Sequence, residues 1–269
     1  MRILFVGDVF GESGRRCVEQ LVPKLRAERD LDLVVVNGEN AARGLGIFEK
    51  QAKSMLGPGI ADAITLGNHS HRQKEIFALL EDPKVPIIRP ANMHKRSPGR
   101  GLCFVEATDP VSGTAVEVAV INLMGSLYLD VGESAFQMVD ALLDQALART
   151  QVVLVDMHAE ATSEKVAMGL HLDGRASVVV GTHTHVQTSD ARVLKGGTAY
   201  ITDLGMTGPH EDSVIGVRAD IILRRFLTGV GERFVPATDG VQLEGAIIDL
   251  DPATGRASAI EALRIAFTP

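Results

Sequence analysis

The sequence predicts an α/β fold whose core is two packed sheets covered by helices. Three observations carry that prediction. Short continuous apolar runs such as "RILFVG" (2–7) and "LVVVNG" (33–38) have the composition of strands buried on both faces. Helical segments separate the early runs, the order that parallel pairing requires. From residue 101 onward, paired β-rich runs call for a sheet beyond the first.

After the strand at 2–7 comes "SGRRCVEQLVPKLRAERD", where Val18, Leu21, Val22 and Leu25 recur at helical spacing and Pro23 interrupts the middle. The strand at 33–38 is followed by a helical stretch near 47–56, a strand in "AITLGNH" (63–69) and another in "VPIIRP" (core 86–90). Residues 101–125 hold two β-rich runs around "DPVSG", a turn signal that predicts an antiparallel hairpin. A helix is expected at 134–149. Two more buried strands follow in "QVVLVDMHAE" and "ASVVVGTHTH", with a helical segment between them. The tail reads as "TAYITDLG", a helix at 214–227, and strands near 241–250 and 257–265. There is no internal repeat and no linker-like segment, so one domain spanning 1–269 is expected.

Composition narrows the function classes. With 269 residues and 45% hydrophobic content, the chain can bury a sizeable core; with 4% aromatics, that core must be mostly Val, Leu, Ile and Ala. A net charge of -7 argues against stable nucleic-acid binding, and the basic stretch "HKRSPGRG" (94–101) is first of all a solvated loop. Cys17 and Cys103 form neither a disulfide framework nor a CxxC pair, which suits a reducing cytosol. The sequence enters a strand at once, leaving no room for a signal peptide, and no apolar run reaches the roughly 20 residues of a membrane span. The expectation is a cytoplasmic chain without a membrane partner; a homo-oligomer is left open.

The apolar runs stop at chemically similar places. "RILFVGD" ends in Asp8, "LVVVNGEN" in Glu39 and Asn40, and "AITLGNH" in Asn68 and His69. "VVLVDMH" ends in His158, and "VVVGTHTH" in His183 and His185. Five strands thus leave metal-binding or proton-transferring groups just past their carboxyl ends, the edge where α/β sheets bind ligands. Singly, each has an ordinary use: Asp8 as a cap, Asn68 in a turn, His158 as a satisfied core histidine. Five independent caps would rarely select three histidines and two carboxylates.

Carboxylates, imidazoles and carboxamides without a thiolate suit first-row ions such as Fe, Mn or Zn. Seven potential donors exceed the needs of a single zinc and suit two ions sharing a carboxylate. In an extended segment His183 and His185 would point the same way, roughly 7 Å apart, one for each ion. His69, next to the proposed ligand Asn68, could reach over the site as an acid.

The order of these elements resembles the calcineurin-like metallophosphoesterase superfamily: an early Asp, a carboxylate after the second strand, "GNH", a solitary His, and "GxHxH". Phe10 stands where most members have the His of a D-x-H motif, "NGEN" replaces the usual GDxxD, and Ser70 replaces the acidic residue after "GNH". With "GDVFG", "NGENAA", "GTHTHVQT" and "TDLGMTGP", these departures resemble the YmdB-type subfamily of cyclic-nucleotide phosphodiesterases over nearly the whole chain. The resemblance implies a four-layer α/β/β/α sandwich with mixed sheets. It implies that Asp8, Glu39, Asn40 and His185 hold one ion and that Glu39, Asn68, His158 and His183 hold the other. It also implies His69 as proton donor, iron or manganese as the metals, and 2',3'-cyclic nucleotides and similar phosphodiesters as substrates.

On this reading two metals would supply an activated water for attack on phosphorus, and His69 would protonate the departing ribose oxygen. Two rivals stand beside this reading: a phosphomonoesterase or nucleotidase on the same metals, and a regulatory nucleotide-binding protein with weak activity. Arg43, His71, Arg72, His94 and His210 lie near the motifs and read first as solvated loop residues. His171 reads as structural, and the loop 205–216 is a substrate-side candidate only through the resemblance.

Overall fold

A computed structural model describes residues 1–268. In chain order the elements begin with β1 (Arg2–Val6), β2 (Asp8–Val9), α1 (Gly11–Arg29), β3 (Leu33–Asn37), α2 (Glu49–Met55), β4 (Ala63–Thr65), α3 (Phe77–Glu81) and β5 (Ile87–Ile88). Next come β6 (Leu102–Thr108), β7 (Ala115–Met124), α4 (Ala135–Leu147), β8 (Val152–His158), α5 (Thr162–His171) and β9 (Val178–Thr182). The last third holds β10 (Arg192–Val193), β11 (Ala199–Ile201), β12 (Met206–Thr207), β13 (Ser213–Val214), β14 (Val217–Arg218), α6 (Ala219–Thr228), β15 (Gln242–Leu250) and β16 (Ala257–Ala266).

The continuous apolar runs become the central strands of two sheets. Among the described residues one six-stranded sheet has the order β16-β15-β1-β3-β4-β5 and the other β10-β11-β9-β8-β7-β6. The expected parallel pairing joins β1, β3, β4 and β5, with Ile3 opposite Leu33 and Val6 opposite Val36. In the second sheet β7, β8, β9 and β11 run parallel. The hairpin predicted around "DPVSG" is β6–β7, and β15–β16 forms another antiparallel pair, so both sheets are mixed.

Two-sided burial explains why these strands lack polar alternation. Ile3, Phe5, Leu33 and Val35 face the second sheet, against Val120, Leu154, Val178 and Val180. Their neighbours Leu4, Val6, Val34 and Val36 face outward, under Val18 and Val22 of α1 and Met55 of α2. On the far side Ile121, Val153 and Val155 pack against Val139 and Leu143 of α4 and Met168 of α5. The result is the four-layer α/β/β/α sandwich that the resemblance implied.

Some boundaries differ from expectation for local reasons. The helix expected at 214–227 begins only at Ala219, because Ile215 (φ 45°) and Gly216 (φ 100°) turn the chain into the small β13–β14 hairpin. "VPIIRP" contributes just two strand residues, since its flanking prolines have no N–H to donate. The α1 helix runs straight through Pro23, which lies on its exposed face, where the carbonyl left without a partner can meet water.

Candidate metal centre

The parallel strands of both sheets deliver their carboxyl ends to one edge of the sandwich. There Asp8, Glu39, Asn40, Asn68, His158, His183 and His185 come together across the sheet–sheet boundary. Asn40 Nδ2 lies 3.1 Å from His185 Nε2, 3.4 Å from Asp8 Oδ1 and 3.1 Å from Glu39 Oε1. His158 Nε2 lies 3.2 Å from Glu39 Oε1 and 3.0 Å from Asn68 Oδ1. One donor atom each from Glu39, His158 and His183 fall within 4.8 Å of one another. Glu39 therefore belongs to two groupings, one with Asp8, Asn40 and His185 and one with Asn68, His158 and His183.

Burial makes this an expensive arrangement without a compensating charge. Asp8 and Glu39 are both fully buried carboxylates. Burial pushes Asp8 up, but the His185 ring 3.7 Å away and the neighbouring His158 hold it well below the ordinary carboxylate range. Glu39 is lowered in the same way, burial being outweighed by His158. The partners move oppositely: burial opposes a charged His158, yet Glu39 raises it to about 9, and Asp8 likewise raises His185. His183 is pushed down to about 4 by burial and by the neighbouring His158. Each carboxylate thus favours a charged form of its imidazole neighbour, a balance that divalent cations could supply instead.

Each ring is oriented from behind. His185 Nδ1 bonds the Ile215 carbonyl at 3.1 Å, and His158 Nδ1 lies 2.8 Å from Thr182 Oγ1, so Nε2 of each faces the centre. His183 Nε2 is 2.9 Å from Glu160 Oε2. The extended geometry expected for the "HTH" segment is not present. His183 has φ 96° and His185 φ 63°, both left-handed, so the two rings are set by a tight turn and not by strand spacing. The conclusion that each serves a different grouping is independent of that spacing, because His185 meets Asn40 whereas His183 stacks edge-on against His158 at 4.7 Å between ring centres.

Phe10, standing in place of a further histidine, packs edge-on against His185 at 5.8 Å. His69 sits beside the cluster: its backbone N–H donates to Glu39 Oε2 at 3.2 Å, and its ring lies 3.3 Å from Asn68 Nδ2. Burial lowers its pKa, so the neutral ring predominates near pH 7. Gly67 is part of the same cradle. A Cβ there would lie 2.2 Å from Glu39 Oε2 and 2.3 Å from His158 Nε2, so the space over the donors is kept free by the missing side chain.

Buried polar residues inside the strands were not singled out from the sequence. Asp156 of β8 accepts from Thr65 Oγ1 (2.5 Å) and Asn37 Nδ2 (3.0 Å) of the other sheet, and from Thr182 Oγ1 (2.7 Å), which touches His158. Burial raises it to about 6. Asn37 Oδ1 in turn holds the Glu39 N–H at 3.2 Å. The signal available was a charged or amide residue within an otherwise apolar run. The more distant candidates stay apart: Arg43 and Arg72 are exposed, His71 bonds the Pro98 carbonyl, His210 bonds the Met206 carbonyl, and His171 pairs with Asp140 on the surface.

The donor set fits divalent metal: two buried carboxylates share imidazole and carboxamide neighbours beneath a glycine whose side chain would crowd them. Over residues 4–263 the sequence matches the model of the YmdB-like protein family. The chain belongs to the YmdB-like family. This YmdB-like chain is 47% identical over 266 residues to the 2',3'-cyclic-nucleotide 2'-phosphodiesterase of Bacillus subtilis, covering 98% of itself and 97% of that relative. It superposes on the crystal structure of a phosphatase from Mycoplasma pneumoniae with TM-score 0.88 and 32% identity, covering 99% of this chain and 93% of that one. A 5'-nucleotidase of Candida albicans, at TM-score 0.54 and 12% identity over 99% of this chain and 51% of its own, shares the fold. Among the described residues no helix is long and apolar enough to cross a membrane.

Proposed function

We propose that this YmdB-like chain is a two-metal phosphodiesterase acting on 2',3'-cyclic nucleotides. The observation that carries the reading is the buried cluster of Asp8, Glu39, His158, His183 and His185 at the joint carboxyl edge of both sheets. The identity to the Bacillus subtilis relative supports the substrate class, and that protein's name points to the bond at the ribose 2' oxygen.

Asp8, Glu39, Asn40 and His185 would hold one ion, and Glu39, Asn68, His158 and His183 the other, with Glu39 common to both. Iron or manganese suits these nitrogen and oxygen donors. Two such ions would supply Lewis acidity toward the phosphoryl oxygens and an activated water at neutral pH. Asn40 presents Nδ2 toward Asp8 and His185, and a half-turn of the carboxamide exchanges it for the oxygen that a cation takes. His69 would pass a ring proton to the departing ribose oxygen, an alkoxide that leaves poorly without one. Its lowered pKa makes the acid-competent fraction small at neutral pH and larger as pH falls.

The same reading makes the chain one working domain, since both sheets share an apolar core and contribute to one centre. Unpaired, buried Cys17 and Cys103 support a cytoplasmic setting. Self-association would have an apolar surface to cover in the exposed Leu223, Phe226 and Leu227 of α6.

Metal analysis with a phosphodiester panel tests the proposal. Wild type should carry two ions per chain and hydrolyse a 2',3'-cyclic nucleotide faster than a nucleoside monophosphate. Glu39→Ala should lose both ions, and His69→Ala should keep metal but lose turnover. Less than one ion per chain, with no activity after Mn or Fe addition, would sink the reading. Faster monophosphate turnover would favour a phosphomonoesterase, the activity suggested by the Mycoplasma relative's description.

A further inference from the structure

The segment "TDLGMTGP" contains no proposed ligand, yet its Asp203 reaches both sides of the centre. We propose that the buried Lys165–Asp203 ion pair is a positioning device that sets His183, His185 and Asp8 relative to one another; the inference rests on the metal-centre reading above.

Lys165 of α5 and Asp203, just past β11, are both fully enclosed, with Nζ 2.6 Å from Asp203 Oδ2. The same Oδ2 accepts the Thr184 backbone N–H at 3.2 Å and the Thr184 hydroxyl at 2.5 Å. Lys165 Nζ also donates to Thr184 Oγ1 at 3.0 Å. Thr184 is thus gripped by both members of the pair, and it is the residue between His183 and His185. Those two histidines carry left-handed φ angles that side chains other than glycine rarely adopt. Such a backbone persists only where surrounding contacts over-determine it; the grip on Thr184 holds the middle of the turn, beside the His183 N–H donated to Asp8 Oδ2 at 3.0 Å and the His185 Nδ1 contact with the Ile215 carbonyl at 3.1 Å.

The other carboxylate oxygen points the opposite way. Asp203 Oδ1 accepts the Gly205 N–H at 2.8 Å, and the Gly205 carbonyl accepts the Asp8 N–H at 3.1 Å. Gly205 has φ 85°, and a Cβ there would lie 2.1 Å from Glu244 Oε2, so only glycine fits this link. One carboxylate therefore ties the "HTH" turn from one sheet to Asp8 at the end of the other. Stability alone is a weak reason for the pair. Charges removed from water lose hydration that their attraction only partly returns, and apolar residues of like volume often serve as well. Geometry at the centre is what an apolar pair could not supply.

The test separates the two roles. Chelator-treated wild type, the double variant Lys165→Met/Asp203→Leu, and Thr184→Val would be titrated with MnCl2 by calorimetry. Circular dichroism melts and the Co(II) absorption spectrum would be recorded for each. Positioning predicts melting close to wild type for Thr184→Val, and for both variants manganese affinity weakened by about tenfold or more and an altered Co(II) spectrum. A purely structural pair predicts the reverse: lowered melting, with affinity within twofold of wild type and an unchanged spectrum. Should the double variant not fold, Thr184→Val decides, because it unpairs neither charge. Wild type that takes up no metal removes the centre and this inference with it. Wild type that binds two ions beside a Thr184→Val protein that binds them equally well removes the inference alone.

Discussion

Stripped of metal by a chelator, the protein should become less stable as pH rises from 6.5 to 8.5. The group responsible is His158, fully buried, whose pKa Glu39 raises from the ordinary 6.5 to about 9 against the opposing effect of burial. A histidine with a raised folded pKa contributes stability that is complete below 6.5 and lost as pH climbs through the folded value. The whole shift corresponds to about 3 kcal/mol at about 1.4 kcal/mol per pH unit, and about 2 kcal/mol of it falls between pH 6.5 and 8.5. His185, raised by Asp8, acts in the same direction. His183 and His69, both lowered by burial, oppose the trend only slightly, because their unfolded value of 6.5 lies at the bottom of this window, and the two cysteines, pushed up to about 12 by burial, act mainly above it. Urea unfolding followed by circular dichroism at the two pH values measures the difference. With saturating manganese the trend should invert, because metal binds the neutral ring and releases its proton. Chelated protein that is equally or more stable at pH 8.5 would refute a cationic His158 beside Glu39. A His158→Gln protein should show a flatter profile than wild type.

The other predictions concern packing and access. Gly67→Ala should fold yet lose most of its metal by elemental analysis, since its Cβ would meet both Glu39 Oε2 and His158 Nε2; full metal content would show that the cradle relaxes. Native protein should not react with a thiol reagent at pH 8 and should show two reactive thiols once denatured, because burial raises both cysteines to about 12. Phe5→Ala should lower unfolding free energy by about 3–5 kcal/mol in urea titrations, since its ring fills the core between the sheets. A loss under 1 kcal/mol would mean the sheets close over the gap.

How much was legible in the sequence varies with the distance over which a feature is decided. "LVVVNG" and "VVLVDMH" announce strands covered on both faces, because two-sided burial leaves every position apolar, a property of adjacent residues. Where those runs end is also local, so Asp8, Glu39, Asn68, His158 and His183 could be named as edge groups from the sequence. The breaks that were missed involve competing local geometry: Ile215 and Gly216 delay α6, and the prolines beside Ile87–Ile88 shorten β5.

What the sequence by itself determined is therefore the set of strands and the donors at their tips. How those donors group came from the sequence only through the family resemblance; the physical contacts that bring Asn40 to His185 and Asn68 to His158 are made by the meeting of two sheets. Only the tertiary structure decided the backbone of the "HTH" turn, where an extended reading fails and left-handed φ angles are held by Asp203 and Lys165. Asp156 makes the same point, a lone acid in an apolar run whose partners Asn37 and Thr65 belong to the opposite sheet. The physical reason is range. Apolar periodicity is read between neighbours in the chain, whereas a hydrogen bond between residues a hundred positions apart exists only once strand order and sheet packing have placed them together.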